Sequence, residues 1–298
     1  MKVLLTGGNG QIGSHLGQFL QNVCECRVVG REEFDLKNRA TLVAGLTTFK
    51  PDLIVNTAAY TDVDGAEKNR EHAFAVNALA PGVMADWCAV NDAAMIHFST
   101  DYVYDGSGIR PHFEDFEPRP LNVYGESKLA GDRAIASSCI PHLILRTSWI
   151  YSDSGSNFLV AMLRLGAARE RLSVVSDQIG APTSAKLVAS TTASIVEQIK
   201  VCGIRKIFGK ASLVHCAASG QTSWHGFSEA IFAGARLRGA HLRIKEVRPI
   251  SSSEYPTPAT RPSNSRLSLK RLKDTYAIEM PDWRDDLDSV LDEIFGLG

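Results

Sequence analysis

Met1-Lys2-Val3-Leu4-Leu5-Thr6-Gly7-Gly8-Asn9-Gly10-Gln11-Ile12-Gly13 opens the chain. Lys2–Thr6 is an apolar run that reads as a strand, and it passes straight into Gly7-x-x-Gly10-x-x-Gly13. Beyond Gly13, residues Leu16, Phe19 and Leu20 share one helical face, so the glycines sit between a strand and a helix. Glycine allows a tight turn there and lets the backbone approach a pyrophosphate. The free N–H groups and dipole at a helix N-terminus then stabilise that anion. Glycine-rich turns are common, so the motif draws its meaning from this strand–turn–helix context. It predicts a dinucleotide-binding turn made by Gly7, Gly10, Gln11, Ile12 and Gly13.

Outward from this turn the same rhythm repeats. Cys26–Gly30 reads as a second strand, and helical spacing returns at Leu42, Val43, Leu46 and Phe49 until Pro51 stops it. Asp52–Asn56 is a third strand, and Val76, Ala80, Val83, Met84 and Trp87 mark a helix before a strand at Met95–Ser99. A helix from about Tyr124 to Ser137 precedes the strand His142–Arg146. Apolar strands separated by helices predict a parallel sheet covered on both faces. The fold class expected is therefore α/β: a Rossmann-type, doubly wound parallel sheet over residues 1–150. A smaller α/β substrate-binding lobe occupies most of 151–298, with some of its segments returning to the first domain. In that second half the spacing predicts helices at Phe158–Ala168, Lys186–Lys200 and from Trp224, strands at Leu172–Val175 and Leu213–Cys216, and a final helix carrying Leu287, Val290, Leu291 and Ile294. Pro249–Ser265, rich in Pro, Ser and Thr, reads as an irregular loop. Ile199–Phe208, with Lys200, Arg205 and Lys206, reads as a solvated loop.

Composition narrows the classes. The 298 residues are 44% hydrophobic, enough for a large core, and disorder is excluded as the main state. Lys and Arg number 32 against 33 Asp and Glu, which leaves no excess charge for a dedicated nucleic-acid binder. No apolar run in the sequence approaches the ~20 residues of a membrane span, and the start is unlike a signal peptide, so a cytoplasmic protein is expected. The six cysteines form no C-x-x-C pair and read as reduced, mostly buried thiols. The eight histidines show no metal-ligand spacing, so no metal is expected.

Cofactor preference should be set after the second strand, at Gly30-Arg31-Glu32-Glu33-Phe34-Asp35-Leu36. Arg31 suits a 2′-phosphate and the acids suit a free ribose hydroxyl, which favours NADPH and leaves NADH possible. A solvated Arg31 is the alternative. Asp35 and Leu36 are placed to line the adenine. Asn56-Thr57-Ala58-Ala59-Tyr60 ends the third strand with small residues, as needed where backbone passes beside a cofactor, so Ala58, Ala59 and Tyr60 join the binding set.

Tyr124-Gly125-Glu126-Ser127-Lys128 is a Y-x-x-x-K pair whose spacing places both side chains on one helical face. A tyrosine of ordinary pKa ~10 is a poor base but a usable acid, and a neighbouring ammonium makes it a better one. Thr100, at the end of the strand Met95–Ser99, stands where a hydroxyl could bond the same carbonyl oxygen, because parallel sheets bind ligands beyond the carboxyl ends of their strands. Thr100, Tyr124 and Lys128 are the expected catalytic residues, the latter two also touching the cofactor. A capping role is the alternative for Thr100 and Asp101.

With these motifs the chain resembles the extended short-chain dehydrogenase/reductases, and within them the branch that reduces dTDP-linked 4-keto-6-deoxyhexoses. Beyond the glycine turn, the resemblance is carried by Asn56–Glu67, Phe98-Ser99-Thr100-Asp101-Tyr102-Val103-Tyr104-Asp105-Gly106 and Pro120–Gly131. It continues through Arg146–Tyr151, Asn157-Phe158, Asp177–Thr183 and Arg261-Pro262, and so spans almost the whole chain. It implies hydride transfer from NAD(P)H to C4 of dTDP-4-dehydro-L-rhamnose, giving dTDP-L-rhamnose. Tyr124 would protonate the alkoxide, Lys128 would hold the nicotinamide ribose, and Thr100 would orient the carbonyl. By the same likeness Val63, Asp64, Thr100, Asp101, Tyr102 and Trp149 approach the sugar, with Asn157, Thr183 and Arg261 at the nucleotide end. Some relatives form metal-bridged dimers through acidic side chains, one of them on the first helix. Here that stretch reads Ser14-His15-Leu16, so no metal is carried over and a monomer or homodimer stays open. Two other readings stand beside this one: another sugar-nucleotide reductase or epimerase of the same fold, and a non-catalytic NADP-binding regulatory subunit.

Overall fold

The computed structural model describes residues 1–209 and 211–297. Five strands, β1 (Lys2–Thr6), β2 (Glu25–Val29), β3 (Leu53–Asn56), β4 (Ala94–Thr100) and β5 (His142–Thr147), pair in parallel with Leu213–His215. The order across the sheet is Leu213–His215, β5, β4, β3, β1, β2. The chain winds outward from β1 to β2 and then crosses back to β3 on the other side of β1. That reversal leaves a crevice at the carboxyl ends of β1 and β3, where open α/β sheets bind ligands. The expected doubly wound α/β sheet is the one observed.

Alternation along the strands builds two cores. Val3, Leu5, Leu53, Val55, Ile96, Phe98, Leu143 and Leu145 face one side, where Leu16 and Leu20 of the helix Gln11–Gln21 and Val188, Ile195 and Val196 of the helix Ala185–Cys202 cover them. Leu4, Ile54 and Met95 face the other, against Leu42 and Leu46 of the helix Arg39–Phe49 and Met84, Trp87 and Cys88 of the helix Ala80–Asn91. With both faces covered, the strands have no solvent side, which is why they read as continuous apolar runs. A third core holds Leu159, Met162, Phe227, Ile231, Phe232, Trp283, Leu287 and Leu291. It gathers the helices Phe158–Ala168, Trp224–Leu237 and Trp283–Ile294.

Several expectations need correction. Ile199–Phe208 is not a solvated loop: it holds the end of one helix and the helix Ile204–Phe208, with Ile207 only 1% exposed against the sheet core. Its basic residues mask this burial in the sequence, but Lys200 donates to the Val23 carbonyl and Arg205 pairs with Asp92 at the surface. Pro249 and Ile250 are not loop but the end of the strand Glu246–Ile250, paired with Arg171–Val175. Proline is tolerated there because this is a two-stranded edge. Of the six free cysteines only Cys88 and Cys216 are buried, their thiols pushed up to about 12 by burial, while Cys139 and Cys202 are exposed. Within the helical run Arg70–Asn91 one 18-residue window has a mean hydropathy of 1.4, enough by length and composition alone to cross a membrane. Of its most apolar window, 56% is buried inside the protein.

Candidate active site

A cleft of about 670 Å³ opens at the carboxyl ends of the strands. Its near end is the glycine turn. Gly7 has φ +75°, and a Cβ on Gly13 would lie 2.1 Å from the Gly7 carbonyl oxygen, so only glycine allows the helix to start this close to β1. The Gly10 N-cap of the helix Gln11–Gln21 makes no side-chain hydrogen bond, and Gln11 Oε1 is buried without a hydrogen-bond partner. An uncapped helix start beside an unpartnered amide oxygen fits a ligand that brings both acceptors and donors, as a dinucleotide does. Gly7, Gly10, Gln11 and Ile12 line the cleft, followed by Arg31, Asp35, Leu36 and Lys37. Glu32 and Glu33 are not among its lining residues, and Glu33 pairs with Arg27 at 3.2 Å. Arg31 and Lys37 thus line this end together with Asp35, and a cation here accommodates a 2′-phosphate.

Ala58 and Ala59 line the middle of the cleft, whereas Tyr60 stands back from it. The Tyr60 N–H and carbonyl both bond the side chain of Asn77, and its ring leans on His72. Asn77, buried in the π-helical turn Ala75–Leu79, also donates to the Ser127 hydroxyl and so ties this loop to the helix Val123–Ser137.

Tyr124, Lys128 and Thr100 all line the cleft. Thr100 caps the short turn Asp101–Val103 by accepting from the Tyr102 N–H at 3.1 Å, and donates to Asp101 Oδ1 at 3.2 Å. Its hydroxyl also lies close enough to that of Tyr124 to favour the phenolate. The capping and site roles thus coincide in one hydroxyl. Burial raises the Tyr124 pKa above the ordinary phenol range, and the Thr100 hydroxyl opposes that rise. The Lys128 Nζ donates to the Phe98 carbonyl at 2.5 Å and lies 3.2 Å from His97 Nε2. Burial brings Lys128 down to about 8, against the pull of Asp132. Behind it, Asp132 accepts from Ser99 at 2.8 Å and pairs with Arg146 at 3.2 Å, both partners buried. Losing either member of such a pair costs roughly 3–5 kcal/mol, because the other charge is left uncompensated.

The far end divides the remaining residues. Val63, Asp101, Tyr102, Trp149 and Asn157 line the cleft. The Tyr102 ring meets Tyr124 edge to face at 5.6 Å, and burial pushes the Asp101 carboxyl up to about 6, opposed by the hydroxyls of Ser265, Thr100 and Ser148. Asn157 caps the helix Phe158–Ala168 through Val160 N–H, and its Nδ2 donates to the carbonyls of Ser152 and Ser154. Thr183 is turned inward: its hydroxyl donates to Ala181 and accepts from the Ala218 N–H. Arg261 and Asp64 do not stand apart as nucleotide-end and sugar-end groups. They form a two-pronged ion pair at 2.7 and 3.1 Å, which holds the Asp64 carboxyl below the usual carboxylate range.

Lys37, Trp224 and His97, in or beside the cleft, escaped the sequence reading as site residues. Trp224 stacks on Trp149 and lines the cleft, and no local motif marks it. His97 lies under Lys128, and a signal for it did exist: a histidine inside an otherwise apolar buried strand must find a polar partner.

The chain matches the family model described as the RmlD substrate binding domain over residues 1–295. It is 42% identical over 286 residues to a dTDP-4-dehydrorhamnose reductase of Burkholderia thailandensis, covering 95% of this chain and 96% of the relative. To the enzyme of the same name from Escherichia coli K12 it is 39% identical over 302 residues, covering 99% and 98%. Its fold superimposes on the crystal structure of dTDP-4-dehydrorhamnose reductase from Bacillus anthracis in complex with NADP, with TM-score 0.88, 31% identity and 98% and 99% coverage. A UDP-glucose 4-epimerase of Thermus thermophilus in complex with NAD shares the fold at TM-score 0.77 and 18% identity, over the full length of both chains.

Proposed function

The chain belongs to the RmlD substrate-binding-domain family of dTDP-4-dehydrorhamnose reductases, and on that premise we propose that it reduces the C4 carbonyl of dTDP-4-dehydro-L-rhamnose to give dTDP-L-rhamnose with NADPH. The observation that carries this is the convergence of the Thr100–Tyr124 hydroxyl pair and Lys128 in the same cleft as the Gly7–Gly13 turn.

When bound, NADPH supplies the hydride. The Gly7–Gly13 turn would hold its pyrophosphate through the first-turn backbone N–H groups of Gln11, Ile12 and Gly13, with Gly7 and Gly10 shaping the turn by the Gly10 N–H donating to the Gly7 carbonyl at 2.9 Å. Arg31 and Lys37 would receive the 2′-phosphate, and Asp35, Leu36, Ala58 and Ala59 would flank the adenosine and the strand ends. Lys128, which donates to the Phe98 carbonyl, would hold the ribose hydroxyls. Thr100 orients the sugar carbonyl, and Tyr124 transfers its hydroxyl proton to the C4 oxygen as negative charge develops there. The depth of Tyr124 in the cleft keeps it protonated until that charge appears, so its proton is used in the transition state rather than lost beforehand. Val63, Asp101, Tyr102 and Trp149 surround the sugar. Residues 1–150 supply the cofactor side of the cleft and these four sugar residues, to which Ser156, Asn157 and Trp224 of the lobe within 151–298 add their side of the cleft. A soluble nucleotide-sugar substrate agrees with a cytoplasmic enzyme acting as monomer or homodimer.

The test is the loss of NADPH absorbance when the protein meets dTDP-4-keto-6-deoxyglucose with and without a 3,5-epimerase. Oxidation only with the epimerase, with dTDP-rhamnose as product, is the expected result. Oxidation without it would assign the chain to a different deoxysugar reduction.

A further inference from the structure

Beneath the cleft a line of buried side chains runs from the end of β3 to Lys128. Asn56 Oδ1 accepts two hydrogen bonds, from the Thr6 hydroxyl at 2.6 Å and from the backbone N–H of Ala58 at 3.2 Å. A backbone N–H can only donate, so the Asn56 amide is fixed and its Nδ2 must point onward as a donor. It faces His97 Nδ1 at 3.0 Å. With a donor opposite, Nδ1 presents its lone pair, and the proton of the neutral ring sits on Nε2. His97 is fully buried; burial first, and the charge on Lys128 second, hold it well below the ordinary imidazole range. Nε2 is 3.2 Å from Lys128 Nζ, and Nζ is 2.5 Å from the Phe98 oxygen. An ammonium at Nζ would set N–H against N–H. A neutral amine accepts from Nε2 and donates to Phe98, and this is the one proton count that satisfies every member of the line.

From this geometry we infer that His97 is a positioning residue which, through Nε2–H, biases Lys128 toward the neutral amine in the cofactor-free protein. The inference rests on the reading of Lys128 as the lysine that holds the cofactor ribose. Other groups face Lys128 too. Asp132 and Tyr124 lie on its own helix, one turn to either side, and Asp132 favours the ammonium. The charge of Asp132 is already shared with Arg146 on β5 and with the Ser99 hydroxyl on β4. Asp101, in the turn after β4, is engaged by Thr100. Ribose hydroxyl oxygens would give an ammonium at Nζ the acceptors that His97 denies it. Cofactor binding and protonation of Lys128 are therefore coupled, and binding takes up a proton near the pH at which the amine is largely neutral.

The direct test reads the His97 ring in uniformly nitrogen-15-labelled, cofactor-free protein. Its two-bond proton–nitrogen correlations, assigned in the wild type through bonds from the sequentially assigned His97 backbone in protein also labelled with carbon-13, are expected to show the neutral Nε2–H form. An Nδ1–H or doubly protonated ring would overturn the inference. No substrate enters this measurement, so its failure is separate from a failure of the proposed reaction. The second test measures proton uptake on adding NADPH at about pH 8 in weakly buffered indicator solution, in the wild type and His97→Gln. The glutamine carbonyl can accept from an ammonium, so the variant should begin protonated and take up less. Removing the opposing donor raises the lysine pKa, so the alkaline limb of kcat/KM should move up by about one unit, a tenfold change in the protonation ratio. Equal uptake and an unmoved limb would refute the assignment, and a His97→Gln chain that fails to fold leaves the wild-type ring measurement to decide.

Discussion

The indole of Trp149 lies flat against that of Trp224, with ring centroids 3.7 Å apart and 12° between the planes. Trp149 has a left-handed backbone, φ 49°, and its carbonyl is pinned by the Thr183 N–H. Trp224 is held from behind by Phe158 and by its Nε1–H donating to Gln178. On the other side of Trp149 sits Gly180, where a Cβ would fall 2.6 Å from the ring. The ring is thus packed between a glycine and a second indole and is 9% exposed. It lines the cleft as one layer of this stack.

Gly180→Ala should push Trp149 off this stack. The expected result is a several-fold rise in KM for the sugar nucleotide with NADPH affinity unchanged, accompanied by loss of the circular-dichroism couplet that two stacked indoles produce. An intact couplet with a normal KM would show that the ring accommodates the methyl group.

Tyr124→Phe removes a hydroxyl wanted in the transition state while keeping the ring. Turnover should fall by roughly two to four orders of magnitude, the usual worth of a positioned acid, with cofactor affinity nearly intact. Steady-state rates and NADPH titration of the same variant decide this, and an undiminished rate would remove Tyr124 from the acid role.

Arg31→Ala should weaken NADPH selectively, by about tenfold or more, because a guanidinium meets a phosphate through charge-assisted bonds that NADH cannot form. Equal losses for the two cofactors would leave Arg31 as a solvated charge.

Asp101→Asn should stabilise the protein, and more so at pH 8 than at pH 5. Burial raises this carboxyl from its ordinary 3.8 to about 6, so the folded state favours the protonated form. A folded pKa above the unfolded one means stability is lost as pH rises through about 6, and the deficit at pH 8 is on the order of 3 kcal/mol. Thermal melts of both proteins at the two pH values give the comparison. An identical Tm difference at each pH would show that Asp101 does not titrate this way.

The glycine turn, the five principal strands and the Thr100, Tyr124 and Lys128 positions were legible because each is a local pattern: strand–turn–helix, an apolar run, an i, i+4 pair. Arg261 and Thr183 were legible only as residues resembling a family's. Their partners, Asp64 for one and Ala181 and Ala218 for the other, come from distant stretches of chain. The core position of Ile207 and Phe208 was hidden for a related reason. Two apolar residues beside Arg205 and Lys206 look like a surface turn until a sheet edge is brought against them.

By itself the sequence determined that this chain folds as a doubly wound α/β sheet with a dinucleotide turn at its start and an acid–lysine pair on one helix. Those features follow from backbone sterics and from hydrophobic periodicity, which act over a few residues. Only the tertiary structure decided which donor meets which acceptor. It placed Lys128 on His97 and Phe98, closed Arg261 onto Asp64, and stacked Trp149 on Trp224. The physical reason is that a side chain's protonation and orientation are set by the few groups packed around it. Those groups are brought together by the fold, not by proximity in the chain.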